Sequence, residues 1–112
     1  MSGVKSQSKF IEEAMATHNS CRARHGVPDL VHNPELSKIA QSYAEYLANR
    51  RTLIHSTNTY NGQRLGENLA FAFDSRLDFY SGKKATMQWY DEIKDHNFNY
   101  DYQPATGHFT QV

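Results

Sequence analysis

A single cysteine, Cys21, stands in a chain of 112 residues. No internal disulfide can form, so the fold must be held by an ordinary hydrophobic core. A domain of this size buries roughly two thirds of its unfolded surface, enough for one core and one domain. Lys plus Arg is 12 and Asp plus Glu is 12, giving zero net charge with neutral histidine. That lacks the basic excess of a nucleic-acid binder and the polybasic patch that anionic membranes attract. No nucleic-acid partner is expected. Low repulsion between copies makes a homodimer an expected assembly. No apolar run approaches the roughly 18 residues of a membrane span, so no transmembrane segment is expected. The opening MSGVKSQSKF has no apolar signal region, and the chain has no Asn-X-Ser/Thr sequon. With one thiol, this suggests a reducing, intracellular compartment; the alternative is a secreted protein whose leader has been removed. N-myristoylation needs glycine directly after Met1, and Ser2 intervenes.

Residues 1–7 are polar and read as a flexible N-terminus, with one domain over 8–112. From Ser8 to about His25, Phe10, Ile11, Ala14, Met15, His18 and Cys21 recur at helical spacing. Gly26 then suits the position after a helix end, and Pro28 blocks continuation. A second helix starts at NPEL, with Asn33 as N-cap and Pro34 in the first turn. Its stripe is Leu36, Ile39, Ala40, Tyr43 and Leu47, and it ends near Arg50–Arg51. HSTNTYNGQR reads as a polar connection with a strong turn at Asn61–Gly62. LGENLAFAF reads as a loop entering a strand. A third helix is expected from about Lys83 to Asp95, burying Ala85, Trp89 and Ile93. After an aromatic loop, GHFTQV reads as a terminal strand. The order predicts an α+β or α-β-α layout. One terminal strand and one short one make a poor sheet. Further strands are therefore expected beyond Val112.

Six histidines are the unusual inventory. His18 lies on an apolar stripe and reads as a core histidine; His25 and His96 sit at helix ends, where a cation is favourable. His32 reads as a solvated loop residue. Cys21, between His18 and His25, could be a nucleophile but fits the stripe as a small hydrophobe. His55 and His108 lie in connections, and Glu67 and Glu92 border apolar runs. Two imidazoles and two carboxylates suit a divalent metal such as zinc, or a general acid and base. Spacing alone equally allows four separate surface or structural residues.

HNSCRARHGVPDL, GENLAFA, WYDEIKDHNF and GHFTQV together resemble the successive signatures of the CAP superfamily of cysteine-rich secretory, antigen 5 and pathogenesis-related 1 proteins. Without the usual cysteines or a signal peptide, the chain is most similar to the intracellular, Golgi-associated plant pathogenesis-related subgroup. The resemblance implies an α-β-α sandwich, here with its C-terminal strands missing. It also implies a cleft in which His55, Glu67, Glu92 and His108 converge. His55 and His108 would then be the metal ligands, with the two glutamates behind them.

The expected function is a non-catalytic binding protein holding a divalent metal, zinc by preference. It would bind lipids or sterols, or a protein partner at a membrane surface such as the cytoplasmic face of the Golgi. In the loop before the third helix, Phe79 and Tyr80 beside Lys83 and Lys84 are the lipid-contact candidates. Phe71 and Phe73 are expected in the core. The alternative is a metal-dependent, peptidase-like hydrolase using the same cleft.

Overall fold

The computed structural model describes residues 2–71, 81–98 and 106–112, with side chains from residue 8 onward. Phe73, Phe79 and Tyr80 lie outside the described residues. The elements are α1 (Ser2–Arg24), α2 (Pro34–Arg50), β1 (Thr59–Tyr60), β2 (Gln63–Arg64), α3 (Gly82–Tyr90), a 3₁₀ turn (Asp91–Asp95) and α4 (Gly107–Gln111). This is an α+β chain whose described sheet is one two-stranded hairpin. It divides into two compact units, one of Met1–Val31 with Ala72–Val112 and one of His32–Phe71.

In the first unit α1 crosses α3. The helix begins at Ser2, ahead of its apolar periodicity. It ends where Gly26 adopts φ 68 and the Val27 and Gly26 N–H groups turn back to the Arg22 and Ala23 carbonyls. That paired geometry is the Schellman close, and it needs a residue without a Cβ penalty. At the crossing, a Cβ on Gly82 would lie 2.1 Å from the Phe10 carbonyl oxygen and 2.5 Å from the Ala14 nitrogen. Ser81 caps α3 by accepting the Lys84 N–H at 3.0 Å. The core is Cys21, Tyr90, Phe109 and Val112, with Met87, Trp89 and Ile93 packed against it. Trp89 and Ile93 are thus half-buried, and Ala85, Thr86 and Tyr90 form the buried face of α3. The third helix is shorter than its pattern, because the chain tightens to 3₁₀ from Asp91.

GHFTQV is helical, not a strand. No strand lies beside it among the described residues, so an extended run would leave its N–H and C=O groups without a ladder. Instead the Glu92 carboxylate accepts the His108 and Phe109 N–H groups at 3.0 and 3.1 Å, and the chain winds into α4. Phe109 and Val112 still face the core.

In the second unit, Asn33 Oδ1 accepts the Glu35 and Leu36 N–H groups, and Pro34 opens α2. Its end is closed by Arg51 in a left-handed conformation, φ 52, at the predicted basic pair. The Tyr43 hydroxyl donates to the Ile54 carbonyl and ties the following segment to α2. Asn61 and Gly62 both have positive φ, 51 and 80. That is the two-residue turn whose twist suits a hairpin. Thr59 pairs with Arg64 and Tyr60 with Gln63. The polar connection is therefore the sheet, while residues 65–71 form no strand. Their backbone follows the hairpin as an irregular return. Phe71, expected in the core, is 69% exposed. It is the last residue of its unit and no described element covers it.

Candidate functional site

The hairpin accounts for one His–Glu pair. Leu65 N–H donates to the Asn58 carbonyl at 3.4 Å, so the two arms stay together beyond the strands. This return brings Glu67 back to His55 and Ser56. Glu67 Oε1 accepts from His55 Nδ1 and from the Ser56 N–H, both at 2.8 Å. Its Oε2 accepts the Ser56 hydroxyl at 2.6 Å. Burial pushes the Glu67 carboxyl up, but the two Ser56 donors and the His55 ring outweigh it and hold the group below its ordinary value. The His55 side chain is 62% exposed and that of Glu67 is 21% exposed.

The second pair is built by the 3₁₀ turn and α4. Glu92 Oε2 accepts from His108 Nδ1 at 2.7 Å, while Oε1 takes the two backbone N–H groups that start α4. The His108 side chain is 39% exposed and that of Glu92 is 24% exposed. Both carboxylates therefore do the same two things: each fixes the backbone beside its histidine and each accepts from that ring's Nδ1. A carboxylate only accepts, so Nδ1 carries the hydrogen and, in the neutral ring, Nε2 carries the lone pair. A glutamate behind the distal nitrogen is the arrangement that orients a metal-binding imidazole and strengthens its basicity. The donor set of each pair thus fits a zinc-type ion bound through Nε2, with the carboxylate as outer partner. Within either unit, the described residues bring no three His, Cys, Asp or Glu side chains together as a metal-holding group. Each pair offers one imidazole.

The remaining histidines have other partners. His18 Nδ1 donates to the Ala14 carbonyl at 2.7 Å and lies 3.3 Å from the buried Thr86 hydroxyl, as expected of a core histidine. His32 lies on the surface against Ser37 Oγ. His25 does not simply cap α1: its Nε2 meets the Tyr90 hydroxyl at 2.9 Å, and its ring stacks with Phe98 and meets Phe109 edge-on. His96 Nδ1 meets the buried Thr106 hydroxyl at 2.7 Å. Cys21 is 2% exposed, 4.0 Å from the Met87 sulfur, and burial pushes its thiol up. It is a core residue. A cavity of about 270 Å³ opens beside it, lined by His25, Tyr90, Phe109 and Val112 among others, but by neither His–Glu pair. It belongs to the edge of the core. Ser56 escaped the sequence reading, since a serine beside a histidine carries no signal until the hairpin register is known.

Comparison with known proteins agrees with the four signatures. Residues 15–112 match the family described as CAP, the cysteine-rich secretory protein family. The chain is 40% identical to the human Golgi-associated plant pathogenesis-related protein 1, over 98% of this chain and 69% of that one. It is 35% identical to the Candida albicans secreted protein RBT4, over 99% of this chain and 28% of that one. It is 36% identical to Nicotiana tabacum pathogenesis-related protein 1A, over 90% of this chain and 57% of that one. The human relative is thus spanned over about two thirds of its length, the plant relative over somewhat more than half and the fungal one over less than a third.

Proposed function

This chain belongs to the CAP family, and from that premise we propose that it is a non-catalytic binding protein whose His/Glu pairs hold a divalent metal, zinc by preference. In each pair the histidine, His55 or His108, is the ligand through Nε2, and its glutamate, Glu67 or Glu92, holds the ring from behind. The observation that carries this reading is the matched use of Nδ1: in each pair the carboxylate accepts from it at 2.7–2.8 Å. Separate surface residues would have no reason to share that chemistry. The bound ion would supply a positive centre for an anionic group of a ligand. The organic ligand is a lipid or sterol, or a membrane-associated protein, contacted through the aromatic residues Phe79 and Tyr80. The compartment is the cytoplasmic face of the Golgi or another membrane, in keeping with the human relative's name; secretion is the alternative, since RBT4 is named as secreted. No described helix is long and apolar enough to cross a membrane.

The hydrolase reading is the weaker one. A metal-bound water gives its proton to a general base, and the candidate bases beside these histidines are the two glutamates. Here both glutamates already accept from an imidazole and from backbone N–H groups. Calorimetric zinc titration tests the proposal. The parent chain should bind zinc, and His55→Ala and His108→Ala should each weaken binding at the substituted pair at least tenfold. Unchanged binding in either variant removes that histidine from the site. Liposome sedimentation of a Phe79→Ser/Tyr80→Ser variant tests the lipid contact, with lost binding and an unchanged melting temperature as the expected outcome.

A further inference from the structure

The turn at Asn61–Gly62 fixes which residues face each other further out. Thr59 pairs with Arg64. The Leu65 N–H to Asn58 carbonyl bond continues the same register by one step. Beyond the paired residues, the arm that follows the hairpin brings Glu67 to Ser56, which hydrogen-bonds it through both backbone and side chain. Its N–H and its hydroxyl engage the two different carboxylate oxygens, at 2.8 and 2.6 Å. The hydroxyl also accepts the Asn58 N–H at 3.1 Å, which turns its hydrogen to Glu67. A carboxylate gripped on both oxygens cannot rotate about its last bond. The oxygen that meets His55 Nδ1 is thereby held in place. In the other pair that task falls to two backbone N–H groups of α4. The His55 segment offers one backbone N–H, and the serine hydroxyl supplies the second grip.

We propose that Ser56 is the positioning residue of the first pair, orienting Glu67 so that the His55 ring keeps its hydrogen on Nδ1 and its lone pair on Nε2. The consequence for zinc rests on the metal reading above; the consequence for the ring does not. The serine touches neither metal nor ligand and acts through Glu67.

Long-range proton–nitrogen correlation spectra of the metal-free 112-residue chain, at a pH where the imidazoles are neutral, read the ring directly. The parent should show His55 as the Nδ1–H tautomer. Ser56→Ala should move it to a mixture with Nε2–H and weaken zinc binding about tenfold, the lower end expected for loss of an outer-shell partner. Ser56→Thr keeps the hydroxyl and should restore both. His108 should be unaffected throughout. The Thr59 and Arg64 amide resonances report whether the hairpin remains folded. Should Ser56→Ala lose them, Ser56→Cys replaces it, since a thiol fills the space but donates weakly. An Nδ1–H ring in the alanine or cysteine variant overturns the proposal, as does a loss that threonine fails to restore. A parent chain that binds no zinc sinks the metal reading alone, because the tautomer still decides the role of Ser56.

Discussion

Glu67 is charged against the pull of its own partial burial, and three donors are the reason. Its depressed folded value means that its ionised form contributes stability above the ordinary carboxyl value of 4.5, and that this contribution is lost as pH falls through the lower folded value. Carbon-13 titration of the side chain should give a midpoint below 4.5; a midpoint at or above it would mean that burial wins. Cys21 shows the opposite balance. Desolvation raises its thiol, with a smaller opposing pull from Arg24. Thiolate is the reactive form, so labelling by a thiol reagent should be slow in the folded chain and fast in urea. Rapid labelling without denaturant would place the thiol at the surface.

At the scale of elements, two contacts that are distant in sequence decide the first unit. Gly82 lets α3 approach the backbone of α1. A methyl group there meets Phe10 O at 2.1 Å, an atom that cannot swing aside. Gly82→Ala should cost about 3 kcal/mol, the upper range of overpacking, and lower the urea midpoint accordingly. A shift below about 0.5 kcal/mol would mean that the helices separate freely. Glu92 starts α4 from 16 residues away. Glu92→Ala should remove about 1 kcal/mol of capping and speed amide exchange at His108 and Phe109, with α1 unaffected. These contacts also explain what sequence could tell. The ends of α1 and α2 were legible because Gly26, Asn33 and Pro34 act on their immediate neighbours. α4 was not, because its N–H groups are met by a side chain from another element and its own Thr106 makes no side-chain cap bond. The hairpin was half legible. Asn61–Gly62 marks the turn, but Thr59, Tyr60, Gln63 and Arg64 lack the apolar alternation that marks strands. Phe71 looked like core only because composition cannot say where a unit ends.

Across the chain, each compact unit holds a His–Glu pair of the same design. Nothing local in the sequence joins the two pairs; what singled them out was the order of four family signatures. The proposed metal role makes His55 and His108 each a ligand through Nε2, with Glu67 and Glu92 as their respective outer partners. X-ray absorption at the zinc edge, on chain loaded with one equivalent, tests it most directly. Imidazole nitrogen at about 2.0–2.1 Å is expected in the zinc shell of the parent. It should be lost when His55→Ala and His108→Ala are combined, and persist, with weaker binding, in Glu67→Ala and in Glu92→Ala. A zinc shell that keeps imidazole from this site in the double histidine variant, or that lacks imidazole in the parent, would overturn the metal role.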